Sequence, residues 1–281
     1  MLNKQFIITE DVINQYRIYL RNEEHAAATV EKYTRDIRAF ANFLDGKAVT
    51  KELAIIWKER IMDNHETTSV NSMLVSINGF FAFFELNIKI KSLKVQYKIF
   101  LPAEKELTKT EYERLLQAAI EKHDDRMCCI MKTICSTGIR VSELRFFTIE
   151  AVKSGQVKVT NKGKTRIVFI PNDLKKVLLR YITQFGIISG CVFVTKNGKP
   201  LNRSNIWAAM KKLCKAAKVD ESKVFPHSLR ALFARMYFRA SKDIVKLSNI
   251  LGHNNVNTTR IYIMESEVEH FKVINSLRLA T

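Results

Sequence analysis

The chain has 281 residues, 47% of them hydrophobic, with only 9 glycines and 4 prolines. That composition excludes a low-complexity or disordered protein and leaves room for two domains of roughly 100 and 180 residues. The net charge is +18, and its placement is uneven: residues 1–100 hold 14 Lys and Arg against 12 Asp and Glu, which leaves 32 against 16 for residues 101–281. The excess favours a polyanionic partner such as nucleic acid, whose condensed counterions Lys and Arg release, although an anionic membrane surface would satisfy the same charge.

The amino terminus, MLNKQFIITEDV, lacks the long apolar stretch of a signal peptide. Helical periodicity then appears four times. Val12, Ile13, Tyr16 and Leu20 form one stripe, and Val30, Tyr33, Ile37, Phe40 and Leu44 a second. Leu53, Ile56, Trp57 and Ile61 predict a third helix, and Val70, Met73, Ile77, Phe80, Phe81 and Phe84 a fourth, with Thr29, Thr50 and Thr68 as candidate caps. Four such helices make a small bundle. The run Phe80 to Phe84 is the most apolar and is too short to span a bilayer, so a cytoplasmic protein with no membrane partner is expected. Residues 86–104 break the periodicity, carry lysines and Pro102, and predict an interdomain linker, either solvated or tracking a phosphate backbone.

Thr108-Lys109-Thr110-Glu111 has the form of a capping box and opens the second domain. A helix follows from about Asp124 to Thr137. Gln156 to Val159 and Arg166 to Ile170 flank Asn161-Lys162-Gly163-Lys164, which predicts a β-hairpin with lysine at its tip. Helical patterns resume at 173–185, 203–217, 228–240 and 242–251, and Cys191 to Val194 predicts a third strand. The cysteines Cys128, Cys129, Cys135, Cys191 and Cys214 form no CxxC pair and fall in apolar patterns, as reduced core residues do.

Polar residues of this second part are grouped in a particular order. Arg140 follows a glycine that ends a helix, His227 and Arg230 share one helical face at i and i+3, and Leu251-Gly252-His253 closes a helix nine residues before Tyr262. At these residues the sequence resembles the tyrosine recombinases, meaning the Xer-type recombinases and lambda-type integrases. The likeness runs over nearly the whole chain and rests on TGIRVSELR, VTNKGKTRIVFIP, HSLRALFA and LGHNNVNTTRIYIM in that order. It implies a mainly α protein with a small β-sheet in its catalytic domain, folded as a two-domain C-shaped DNA clamp. The domains would be a helical core-binding domain over 1–100 and a mixed α/β catalytic domain over 101–281, with no further arm-binding domain in front. It further implies that Arg140, Lys162, His227, Arg230 and His253 surround the scissile phosphate and that Tyr262 attacks it. Ala231 stands where many relatives have a second histidine, Asn161 where glycine is frequent, and the hairpin tip is one residue short, so that Lys162 and Lys164 both remain candidates for the inward-facing lysine.

The chemistry suits these residue types. Attack on a phosphodiester builds negative charge on the non-bridging oxygens, and two guanidinium forks can meet it without a metal or other cofactor. A tyrosine hydroxyl ionises only near pH ~10 and needs a base, a role open to His227. The departing 5′ oxygen needs a proton, a role open to Lys162, while His253 can bond a phosphate oxygen. Glu143 is expected to be structural, since a carboxylate beside the phosphate would oppose the arginines. A two-metal nuclease would require clustered carboxylates, which the sequence does not offer. A type IB topoisomerase-like strand transferase and a catalytically silent DNA-binding protein of the same fold are the remaining alternatives. The implied partners are a double-stranded DNA recombination site and a homo-tetramer on two duplexes, with a related recombinase or accessory protein as an option. In the tail, Val268, Phe271, Ile274 and Leu277 form an amphipathic pattern expected to dock on a neighbouring subunit.

Overall fold

The structure, a computed structural model, describes residues 6–95, 106–161, 163–195, 198–253, 255–263 and 275–277. The chain divides into two compact units, Met1–Tyr97 and Lys98–Thr281.

The first unit is a bundle of α1 (Glu10–Asn22), α2 (Ala27–Leu44), α3 (Lys51–Asn64) and α4 (Thr67–Phe83). The stripes read from the sequence turn inward except at Ile56, which is exposed: Tyr16, Leu20, Ile37, Phe40, Trp57, Phe80 and Phe81 are buried in one core, together with Leu74, which no stripe included. Burying each large aromatic contributes on the order of 2–3 kcal/mol. Only Thr50 of the three expected caps performs that role, accepting from the Leu53 N–H. Thr29 and Thr68 lie inside α2 and α4, which begin after Ala26 and Glu66 without a side-chain cap, while Thr9 caps α1. The linker expected from residue 86 starts later, because residues up to Leu93 are pinned to α4. The side-chain amides of Asn78 and Asn71 each exchange two hydrogen bonds with the backbone of Ile90 and Leu93, at 2.7–2.9 Å. An asparagine amide offers a donor and an acceptor as a peptide group does, so it pairs with extended chain as a strand edge would. Residues 96–105 of the expected linker lie outside the described residues.

The second unit starts with α5 (Lys109–Glu121), whose predicted Thr108–Glu111 capping box is present, and α6 (Asp125–Thr137), ended by Gly138 at φ +65°. A 3-10 turn (Val141–Phe146) and the short α7 (Ile149–Ser154) lead to the hairpin of β1 (Gln156–Asn161) and β2 (Lys164–Phe169), antiparallel with Asn161 paired to Lys164. Then come α8 (Asn172–Gln184), α9 (Arg203–Ala217), α10 (Pro226–Ser241), α11 (Ile244–Leu251) and α12 (Val256–Arg260). Ile130, Met131 and Ile134 of α6 sit in the middle of a core that also takes Leu115, Leu178, Met210 and Leu229. The third strand expected at Cys191 to Val194 is absent from the sheet, which has two strands among the described residues. Cys191 and Val194 make isolated bridges to Thr148 and Pro200 instead. Val192 and Phe193 are buried and so give an apolar run, yet they pair with loops, the Val192 N–H donating to the Phe147 carbonyl. The cysteines are unpaired, and burial pushes the Cys129 and Cys135 thiols up to about 12. Among the described residues no helix is long and apolar enough to cross a membrane. The amphipathic pattern expected in the tail lies outside the described residues except for Leu277.

Gly138 is where α6 and α10 are keyed together. A Cβ there would sit 2.3 Å from Cδ1 of Phe233, whereas a Cβ on Gly155, also left-handed at φ +79°, would meet nothing within 4 Å. Gly155→Ala should therefore lose only the left-handed strain of about 1–2 kcal/mol, and Gly138→Ala a further ~1–3 kcal/mol of overpacking. Paired urea titrations measure the difference; equal losses would show that Phe233 yields freely and that the close approach is not a constraint.

Candidate active site

The site is assembled where several helix and strand ends meet. The αL glycine after α6 releases the chain so that Arg140 is extended and its carbonyl opens the 3-10 turn. Glu143 accepts from the Arg140 backbone N–H at 2.8 Å, which fixes that turn from within. Pro226 occupies the first turn of α10, where its missing N–H is not needed, and His227, exposed, and Arg230, buried, follow one turn apart. α11 ends in a Schellman arrangement, with Gly252 at φ +65° and the His253 N–H returning to the Ser248 carbonyl at 3.0 Å. That turn delivers His253 into the site, and α12 brings Thr259 and then Tyr262.

Arg230 is 1% exposed. It donates through Nη1 to the Gly138 carbonyl at 2.6 Å and through Nη2 to the Leu251 carbonyl at 2.7 Å, with His253 Nε2 at 2.9 Å from the same Nη2. Its Nε is buried with no hydrogen-bond partner. Burial, reinforced by the charge of Arg140, lowers its pKa to about 10, which still leaves it a cation at neutral pH. Arg140 is held more loosely, at 3.4 Å from the Gly252 carbonyl and 3.2 Å from Glu143 Oε1, and a third of its side chain is exposed. The two guanidiniums thus approach one place from two sides of the α11 terminus.

Both imidazoles are held neutral. Burial, then the charges of Arg230, Arg140 and Arg203, lowers the pKa of His227. Burial and then Arg230 and Arg140 lower that of His253 to about 4. Arginine has no acceptor, so His253 Nε2 must accept from Arg230 and the proton must sit on Nδ1, which faces Thr259 Oγ1 at 2.8 Å. Tyr262 is 8% exposed, packed with Ala234, Leu247 and Leu251, and its ring lies against that of His253. Its hydroxyl is 2.8 Å from His227 Nε2. With His227 neutral, Nε2 can accept the phenolic hydrogen.

The structure therefore brings together Arg140, His227, Arg230, His253 and Tyr262 of the residues singled out in the sequence. Lys162 lies outside the described residues; its neighbour Lys164 lines an open cavity of about 670 Å³ shared with Arg140, Arg166 and His253. Two participants, Arg166 and Thr259, went unread in the sequence. Arg166, inside a strand pattern, forms a two-pronged pair with Glu143 at 2.7 and 3.0 Å and also donates to the Ile250 carbonyl at 3.1 Å. Thr259 is fully buried beneath His253. Glu143, expected to be structural, is 2% exposed and in contact with two arginines. Burial raises its pKa, but the Arg166 hydrogen bond, the Arg140 N–H and both positive charges outweigh this and leave the net shift downward, so it is a carboxylate. Position in β2 was the available signal for Arg166.

A profile of the phage integrase family matches residues 105–269, and one of the phage integrase N-terminal SAM-like domain matches residues 13–86. The chain belongs to the phage integrase family. Tyrosine recombinase XerC of Thermodesulfovibrio yellowstonii is 29% identical over 283 residues, which cover 93% of this chain and 92% of that one. A crystal structure of XerA recombinase matches with TM-score 0.55 and 25% identity over 96% of this chain and 99% of that one. A lambda integrase tetramer bound to a Holliday junction shares the fold, with TM-score 0.74 and 18% identity over 92% and 78% of the two chains. The integrase-family chain is accordingly a tyrosine recombinase, an enzyme of site-specific recombination that cleaves and rejoins DNA.

The neutral state of His253 can be measured. Long-range nitrogen–proton correlation spectra should show the Nδ1–H tautomer down to about pH 5, with protonation beginning only toward its lowered pKa of about 4. A midpoint near the ordinary imidazole value of about 6.5 would contradict the contact with Arg230.

Proposed function

We propose that this recombinase cuts one strand of a double-stranded DNA site by a metal-independent transesterification with Tyr262 as nucleophile. The Tyr262 oxygen bonds to phosphorus as the bond to the 5′ oxygen breaks, which leaves a 3′-phosphotyrosine and a free 5′ hydroxyl. His227 takes the phenolic proton. Lys162 gives a proton to the departing oxygen. Arg140 and Arg230 meet the charge that grows on the non-bridging oxygens, where fixed donors are worth most, and His253 bonds one of those oxygens once the phosphate raises its proton affinity. Attack by a 5′ hydroxyl of another strand reverses each transfer and rejoins the DNA.

The observation that carries this reading is the 2.8 Å contact between the Tyr262 hydroxyl and His227 Nε2, one helical turn from a buried arginine with an unpaired Nε. The domain assignment follows the same reading, with residues 1–100 gripping the core site and 101–281 doing the chemistry. The excess of 32 basic over 16 acidic residues in the second part supports contact with phosphates. Assembly as a homo-tetramer on two duplexes is supported by the lambda integrase tetramer of like fold. In such an assembly residues 263–281 of each protomer dock on the next. Five unpaired thiols fit a reducing cytoplasm.

Tyr262→Phe should bind a DNA site selected from a random pool as tightly as wild type and form no covalent adduct with a nicked suicide duplex on a denaturing gel. An adduct in the Phe variant would assign the nucleophile elsewhere. Wild-type cleavage should persist in EDTA, and its loss there would favour a metal-dependent route.

The choice of lysine is tested by the leaving group. A 5′-bridging phosphorothioate departs without a proton, so it should restore cleavage to Lys162→Ala. Rescue of Lys164→Ala alone would move the acid to that residue.

A further inference from the structure

Glu143 poses an electrostatic problem for the proposed site. A buried carboxylate 3.2 Å from Arg140 Nη1 competes with a phosphate for that guanidinium. The four acceptor positions of the carboxylate are nevertheless all taken. Oε2 accepts from the Arg140 backbone N–H at 2.8 Å and from Arg166 Nη2 at 2.7 Å, and Oε1 from Arg166 Nη1 at 3.0 Å and from Arg140 Nη1 at 3.2 Å. The parallel fork from Arg166 is the strong part of this set, and such bidentate pairing neutralises a carboxylate most fully. Arg166 and Glu143 close as an ion pair, 16% and 2% exposed, while the Arg140 guanidinium keeps one loose contact with Glu143, long contacts to the Leu251 and Gly252 carbonyls, and its own charge.

Arg166 does more than neutralise. Its Nε holds the Ile250 carbonyl, and its side chain runs along Gly252, where a Cβ would come within 3.0 Å of Arg166 Cδ. The strand after the hairpin lysine is thus tied directly to the turn that carries His253. Resting on the phosphotyrosine reading above, we propose that Arg166 is a positioning residue for strand cleavage. It occupies Glu143 so that this carboxylate holds the Arg140 backbone without drawing the Arg140 guanidinium out of the cavity, and it fixes the His253 turn.

The signature is a reversal of sign between two substitutions. In Arg166→Met the freed carboxylate should capture Arg140, and single-turnover cleavage of the selected suicide duplex should fall on the order of 100-fold, as for a misplaced catalytic group. DNA affinity in a gel shift, carried by many other phosphate contacts, should change by less than about 3-fold. Adding Glu143→Gln to Arg166→Met removes the competing charge and should restore roughly 10-fold of the lost rate, even though it takes away another native contact. A residue serving only the fold would give a double variant no faster than the single one, which would overturn the proposal. Arg166→Gln, which keeps a polar side chain but neither the charge nor the fork that pairs with Glu143, should show the same loss and the same rescue and serves if the Met variant does not fold. Tyr262→Phe run alongside separates the two claims. An adduct that survives there overturns the nucleophile assignment and this inference with it, whereas its loss there, together with no rescue by Glu143→Gln, overturns the role of Arg166 alone.

Discussion

The end of α11 organises the site. The last carbonyls of any helix lack intrahelical partners and carry the negative end of the helix dipole. Here Ile250, Leu251 and Gly252 present three such carbonyls in succession, and Arg166, Arg230 and Arg140 take them at 3.1, 2.7 and 3.4 Å. Three guanidiniums gathered in one partly buried place repel one another and lose hydration. The carbonyl row and the Glu143 carboxylate offset both costs, and because carbonyls bear no formal charge, most of the positive charge survives for an anion to meet.

Everything else delivers groups to that terminus. The left-handed Gly138 lets α6 stop against Phe233 of α10, which brings the Gly138 carbonyl to Arg230. The Schellman turn at Gly252 sends His253 back over Arg230, and Thr259 of α12 receives its other ring nitrogen. Burial first, and then the same cations that would hold a phosphate, keep His227 and His253 uncharged. The arginine field attracts an anion and adds to burial in leaving the imidazole beside Tyr262 as a proton acceptor.

Periodic burial was the part of the fold most legible in the sequence. Stripes such as Val30, Ile37, Phe40 and Leu44 turn inward because a 3.6-residue repeat admits only one packed face. Local signals were less decisive where two candidates compete. Thr29 and Thr68 had the chemistry of caps, yet their helices begin earlier, at Ala27 and Thr67. Cys191 to Val194 had the apolar run of a strand, but runs of that kind report burial and not pairing. In the site, Arg140, His227, Arg230, His253 and Tyr262 were readable because the motifs around them resemble those of the tyrosine recombinases; helix-end spacing alone left each open to a structural role. Arg166 was not, since its partners Glu143 and Ile250 are 23 and 84 residues away and no local pattern encodes such a contact. The pinning of Ile90 and Leu93 by Asn78 and Asn71 was hidden for the same reason.

If the α11 carbonyls hold the arginines ready for a phosphate, then binding one should demand little rearrangement. A crystal structure of the protein on a DNA duplex it selects, with vanadate at the scissile position, tests this most directly. The account predicts Arg140 and Arg230 both within about 3 Å of the equatorial oxygens. Arg166 should remain on the Ile250 carbonyl, Arg230 on the Leu251 carbonyl, and the Tyr262 oxygen should be apical to vanadium. Arginines that leave those carbonyls to reach the oxygens, or a vanadate bound away from Arg230, would contradict it.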